Sequence, residues 1–260
     1  MPPCRCRRSA RHAVGKALIG TAGWSIPAQH ADAFPREGSH LQRYSQVFSA
    51  VEINTSYRPH RPGTYERWAA TVPVGFQFAV KMPKEITHAR RLVEAGELLV
   101  RFLGEIGSLG GKLGPVLVQL PPSLAFRAAL ADFFLDLRAR FEGAIVCEPR
   151  HRSWFTDEVD QRLAELRIAR VAADPAVVPR AGEPGGWPGL RYYRLHGSPR
   201  MYYSAYPRAD LEALAPRLTG PAGLTWCIFD NTAEGAATHD AAALAGLLSL
   251  THGKACASLP

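Results

Sequence analysis

The stretch AIVCEPRHRSW, residues 144–154, carries the reading of the fold. Its first four residues, Ala144 to Cys147, suit any core. They run directly into Glu148, Pro149, Arg150, His151 and Arg152. A short apolar run rich in β-branched residues reads as a buried strand. Charged side chains at its end need a destination, because a buried charge is costly unless it is paired.

Seven comparable runs lie along the chain: ALIGTAG (17–23), AVEIN (50–54), FQFAVKMP (76–83), GPVLVQLPP (114–122), IARVAAD (168–174), LRYYRLHG (190–197) and TWCIFDN (225–231). Helix-like stretches fall at 63–72, 88–109, 125–141, 153–167, 208–218 and 236–250. Strands that alternate with helices form a parallel sheet. Eight strand units in one chain of this length predict a single α/β domain, a TIM-type (β/α)8 barrel. A doubly wound open sheet is the alternative, usually with fewer strands. The sixth connection, 175–189, is rich in Pro and Gly and reads as a loop in place of a helix. The expected organisation is a basic extension over 1–16, the barrel over 17–252 and a tail over 253–260.

Side chains alternate across a strand. Glu52 and Asn54 then share a face, as do Glu148 and Arg150, and Tyr192, Arg194 and His196. Lys81, Gln119, Asp174 and Asp230 oppose apolar neighbours. If the apolar face packs under the helices, these polar groups converge at the C-terminal mouth, where barrel enzymes work. Ion pairs that merely complete the interior are the bland reading of the same pattern.

The constellation suggests acid/base or hydrolytic chemistry on a small anionic substrate, such as a phosphorylated one. Glu148 is the expected acid/base, Glu52 a second carboxylate, and Lys81 and His196 further catalytic groups. Lys81 would alternatively form a Schiff base. Arg150 and Arg194 would hold the anion. Trp24, Asn54, Tyr57, Gln119, Trp154, Tyr203, Asp230 and Asn231 are the remaining expected substrate contacts. Trp154 also fits a packing anchor at the start of its helix. Glu148→Gln is expected to abolish activity and spare the fold. The carboxylates with His196 would suit a divalent metal, as in a phosphoesterase, but no recognised metal spacing is present. The sequence names no cofactor.

Composition sets the remaining bounds. The formal charge is +8. Residues 1–16 contribute +5 through Arg5, Arg7, Arg8, Arg11 and Lys16, with no acid, leaving +3 for the rest. A basic segment is a weak sign of nucleic-acid binding, and a non-catalytic nucleotide or nucleic-acid binder is the rival class. No apolar run reaches the roughly 18 to 20 residues of a membrane span, and the N-terminus shows no signal-peptide apolar region. Five scattered cysteines form no disulfide framework, which points to the cytoplasm.

The motifs IGTAGWS (19–25), FSAVEINTSYR (48–58), RWAATVPVGFQFAVKMPKEITHARRL (67–92), QLPPS (119–123), EPRHRSW (148–154), YYRLHG (192–197) and FDNTAEGAA (229–237) resemble, in order, the YecE-like family, domain of unknown function 72. The resemblance covers roughly 18–250 and implies a TIM-type barrel, but no particular reaction. Gly23, Trp24, Glu52, Asn54, Lys81, Gln119, Glu148, Arg150, His151, Ser153, Trp154, His196, Gly197, Asn231 and Gly235 match its motif positions. Ser56, Pro149 and Asp230 depart from the family's usual residues, without loss of a charged group.

Overall fold

The computed structural model describes residues 17–55, 60–61, 63–219 and 223–257, with side chains as far as residue 249. Strands β1 (Ala17–Thr21), β2 (Ala50–Ile53), β3 (Gln77–Lys81), β4 (Leu113–Gln119) and β5 (Ile145–Glu148) fill the first half. Strands β6 (Ile168–Arg170), β7 (Ala172–Asp174), β8 (Gly185–Gly186), β9 (Leu190–Leu195) and β10 (Leu224–Phe229) follow. The helices are α1 (His40–Ser45), α2 (Thr64–Thr71), α3 (Gly96–Gly107), α4 (Ala131–Arg140), α5 (Asp157–Glu165), α6 (Arg208–Leu218) and α7 (Ala236–Ala257).

The result is an α/β fold with parallel-rich sheets. One sheet has the order β1-β10-β9-β7, and all its pairs are parallel. The other has the order β2-β3-β4-β5-β6-β8, parallel except for β8 against β6. The strand expected over 168–174 is split at Val171, whose N–H donates to the Cys147 carbonyl. Its first part stays with β5 and its second crosses to β9. With β8, this split makes ten strands in two sheets among the described residues, where the sequence suggests eight in one.

The two sheets meet again at their other edge. A parallel bridge joins Ala22 to Glu52. The buried Tyr44 hydroxyl accepts from the Thr21 N–H at 2.8 Å and donates to the Ala50 carbonyl at 3.0 Å. Gly20 permits this approach, because a Cβ there would lie 2.0 Å from the Ala50 oxygen.

Two apolar clusters hold the strands. The larger lies between strands and helices and includes Val51, Phe78, Val118, Cys147, Phe102, Leu137 and Leu244. The smaller lies on the opposite strand face, with Leu18, Ala50, Ala79, Leu117, Val146, Ala169, Leu190 and Trp226. The strand face that carries Glu52, Lys81 and Glu148 is therefore apolar along the rest of its length, contrary to a simple division into one apolar and one polar face. Gly114 on β4 makes room for Trp226 there, since a Cβ would lie 2.6 Å from the indole ring.

Connection 175–189 contains a 3-10 turn (Pro179–Gly182) and β8, and no α-helix. Arg170 pins it from below. Its Nε and Nη2 donate to the Asp160 carboxylate at 2.7 and 3.1 Å, and Nη1 donates to the carbonyls of Arg180 and Glu183. The helix expected from residue 88 begins only at Gly96. A π-helical turn (Glu85–Ala89) and left-handed Arg91, Leu92 and Glu94 intervene. Among the described residues no helix is long and apolar enough to cross a membrane.

Candidate active site at the strand C-termini

Arg194, on β9 and fully buried, organises the site. Its Nη2 and Nε donate to Glu52 Oε1 and Oε2 at 2.6 and 3.0 Å. Its Nη1 donates to Glu148 Oε2 at 2.6 Å, and Nη2 also reaches Asp230 Oδ2 at 3.0 Å. The Tyr192 hydroxyl donates to Glu52 Oε2 at 2.9 Å. His196 closes a second circuit: Nδ1 lies 3.0 Å from Asp230 Oδ2, and Nε2 lies 2.9 Å from Glu148 Oε1. Arg150 Nη2 lies 2.6 Å from the same Glu148 oxygen. Groups from β2, β5, β9 and β10 thus converge at one end, as alternation predicts.

Electrostatics follow from this pairing. Burial pushes the Glu148 carboxyl upward, but Arg194, His196 and Arg150 outweigh it and hold it well below the usual carboxylate range. Asp230 is likewise lowered: Arg194 and the His196 hydrogen bond overcome its burial. For Arg194 burial opposes the charge, yet Glu52, Glu148 and Asp230 raise it well above its ordinary value. Lys81 is lowered, first by burial and then by Arg194, with Glu52, Asp230 and Glu148 acting the other way.

The rim of the site is partly open. Lys81 and Asn54 are half-buried, and the Arg150 side chain keeps only a small exposed part. Gln119 stands beside Glu148 in register on β4. Tyr202 covers His196, with ring centroids 5.7 Å apart and planes at 88°. Its backbone is left-handed (φ 71) and its N–H donates to the His196 carbonyl. Gly197, also left-handed, lets the loop fold back, since a Cβ would meet the Ser204 carbonyl at 2.8 Å.

Several expected contacts are elsewhere. Trp154 is a core residue: it packs on Phe126 and Phe134, and its indole donates to the Leu124 carbonyl at 2.8 Å. Trp24 packs edge-on against Trp68 and Phe78, on the helix side of the sheet. Asn231 is fully buried and latches the loop after β9 to α7, donating to the Ser204 carbonyl and to Asp240 Oδ2. Tyr203 lies under the Arg200 guanidinium, 3.7 Å from ring centroid to Cζ. Its neighbour Tyr202 is the one that reaches His196, and nothing periodic in a loop distinguishes the two. Asp174 lines an outer groove with Tyr193, Leu195 and Leu214, because the chain changes sheets at Val171. Tyr57 lies outside the described residues.

Among the described residues no group of three His, Cys, Asp or Glu side chains has the arrangement of a metal site. The three carboxylates turn their oxygens on the Arg194 guanidinium, so the donor set is already occupied by a protein cation.

The UPF0759 protein YecE of Escherichia coli K12 is 30% identical over 141 residues, covering 53% of this chain and 49% of that protein. The UPF0759 protein YunF of Bacillus subtilis 168 is 30% identical over 150 residues, covering 53% and 52%. The chain thus spans about half the length of the curated relatives it matches. The fold is similar to that of a DUF72 family protein from Enterococcus faecalis V583, with TM-score 0.76 and 20% identity over 90% of this chain and 96% of that one. A Thermotoga maritima DUF72 family protein gives TM-score 0.74 and 24% identity over 90% and 99%. An L-ribulose 3-epimerase shares the fold more distantly, with TM-score 0.50 and 17% identity over 94% and 99%. Residues 18–260 match the family described as "Protein of unknown function DUF72", and the chain belongs to that family.

Proposed function

We propose that this chain is an enzyme performing acid/base chemistry, hydrolysis included, on a small anionic substrate at the C-terminal ends of its strands. In this reading the two sheets are the halves of an irregular (β/α)8 barrel, joined at Ala22–Glu52 and through Val171, with the charged cluster at its mouth. The observation that carries the reading is the position of Lys81. It is a half-buried amine with a lowered pKa, next to a buried network of three carboxylates and two guanidiniums.

The roles differ from those the sequence suggests. Glu148 is fully buried and held as a carboxylate by three partners, so it is a poor proton donor. Its task is to position Arg194, Arg150 and His196. Lys81 is better placed as the proton-transferring group, because a lowered amine pKa raises its unprotonated fraction. Arg150 would receive the anion, and Asn54 and Gln119 would orient the substrate. Two free, buried cysteines, Cys147 and Cys227, fit a cytoplasmic setting.

Proton NMR in D2O, with panels of sugar phosphates and hydroxy acids, tests the reading. Deuterium incorporation or hydrolysis is expected with the unmodified protein and a loss of at least about 100-fold in Lys81→Met, the usual scale of a general base. Turnover that survives Lys81→Met would remove Lys81 from the mechanism.

One observation favours a second reading, a nucleotide or nucleic-acid binder. Tyr202 and Tyr203 are exposed beside Arg200, and bases stack on such a surface. That reading expects binding that weakens steeply with salt and is indifferent to Lys81→Met.

A further inference from the structure

Three atoms at the mouth lie mutually within hydrogen-bonding distance. Arg150 Nη2 is 2.6 Å from Glu148 Oε1 and 2.7 Å from His196 Nε2, and those two are 2.9 Å apart. No placement of hydrogens satisfies all three pairs. The Arg150–His196 contact needs a lone pair on Nε2, because a guanidinium only donates. The His196–Glu148 contact needs a proton on Nε2, because a carboxylate only accepts. Tautomer exchange gives no relief, since Nδ1 is committed to Asp230 Oδ2 at 3.0 Å. With Nε2 bare, it faces Glu148 lone pair to lone pair. With Nε2 protonated, it faces Arg150 donor to donor.

Arg150 is the group able to leave. Arg194 is fully buried and spread over three carboxylates. The Arg150 side chain is 9% exposed, and among the described residues its Nε is buried without a partner and its contacts are to Glu148 and His196. On its departure Glu148 Oε2 keeps Arg194, and Oε1 is left to the imidazole.

We propose that Arg150 is a movable anion clamp: it leaves Glu148 for the phosphate or carboxylate of a ligand, and one proton from solvent is taken up at His196 Nε2. This rests on the reading of the mouth as a site for small anions. The charge removed from Glu148 is replaced by an imidazolium lying between Glu148 and Asp230. The other charged neighbours stay in place: Arg194 on the same strand, Glu52 on β2 and Lys81 on β3, with the Tyr202 ring above. The clamp therefore binds anions more tightly as pH falls.

The test is 15N NMR of imidazole-labelled protein titrated with inorganic sulfate and, separately, acetate; His196→Asn identifies the signal. In the unmodified protein, sulfate or acetate should move Nε2 from its bare to its protonated position. Affinity should rise by up to about tenfold per pH unit as pH falls, the slope of one linked proton. Arg150→Gln should show a protonated Nε2 without any anion. A response to sulfate alone assigns the clamp to phosphate ligands, and one to acetate alone to carboxylates. Anion binding that leaves Nε2 unchanged overturns the coupling and spares the anion site. No binding of either probe overturns both the clamp and the anionic-substrate reading. The titration of the unmodified protein decides between these outcomes even if Arg150→Gln does not fold.

Discussion

Glu148 shows how burial changes the meaning of a residue. As a side chain at a strand end it suggests a catalytic acid whose glutamine variant keeps the fold. In the structure it is fully buried, and Arg194, Arg150 and His196 all depend on its charge. Glu148→Gln leaves a buried guanidinium under-compensated and is expected to cost about 3–5 kcal/mol, read from urea unfolding. A pH dependence goes with it. Glu148 and Asp230 have lowered native pKa values, so their contribution to stability is complete above the unfolded carboxylate range, about pH 4. It is lost as pH falls through the native values. Thermal unfolding followed from pH 7 downward should therefore show a shallower acid loss in Glu148→Gln than in the unmodified protein.

Among elements, the connection after β7 is the most unusual. It lacks a helix, and what holds it is Arg170, 1% exposed, with its bonds to Asp160 of α5 and to two carbonyls of the connection. Arg170→Ala removes two of the hydrogen bonds to the Asp160 carboxylate, leaving it to Arg180, and frees those carbonyls. Hydrogen exchange should rise sharply over 175–189 and little over β2 to β4. An unchanged exchange pattern would mean that β8 and the Arg180–Asp160 and Arg217–Glu183 pairs hold the segment without Arg170. The Pro/Gly content of 175–189 predicts the missing helix, because each proline removes a backbone donor and both residue types have little helical propensity. The split at Val171 has no such signature: IARVAAD is a uniform apolar run, and its change of partner depends on where β5 and β9 stand.

At the scale of the molecule, the formal charge is divided between a +5 segment over 1–16 and a +3 remainder. The site's own charges are nearly balanced internally, so small-anion binding should not depend on the segment. Deletion of 1–16 is expected to leave sulfate affinity unchanged. Any residual affinity for DNA should fall and its salt dependence flatten by up to about five counterions, measured by fluorescence anisotropy across a salt series. A loss of sulfate binding on deletion would instead place the basic segment at the mouth.

The alternation of apolar runs with helical stretches was enough to establish parallel strands with covering helices, because both periodicities are local. Period-two alternation also placed Glu52, Glu148, Arg194, His196 and Asp230 on one face, since it needs only the strand's own geometry. It failed where neighbours decide. Trp154 and Asn231 are functional-looking residue types that the core and a loop latch absorb, through the Leu124 and Ser204 carbonyls. Tyr202 rather than Tyr203 meets His196, because a loop has no period to read. The hydrogen-bond conflict among Arg150, His196 and Glu148 depends on β5 and β9 bringing residues 46 and 48 positions apart within hydrogen-bonding distance. Distances of that kind are set by packing across the sheets, and no stretch of the chain encodes them alone.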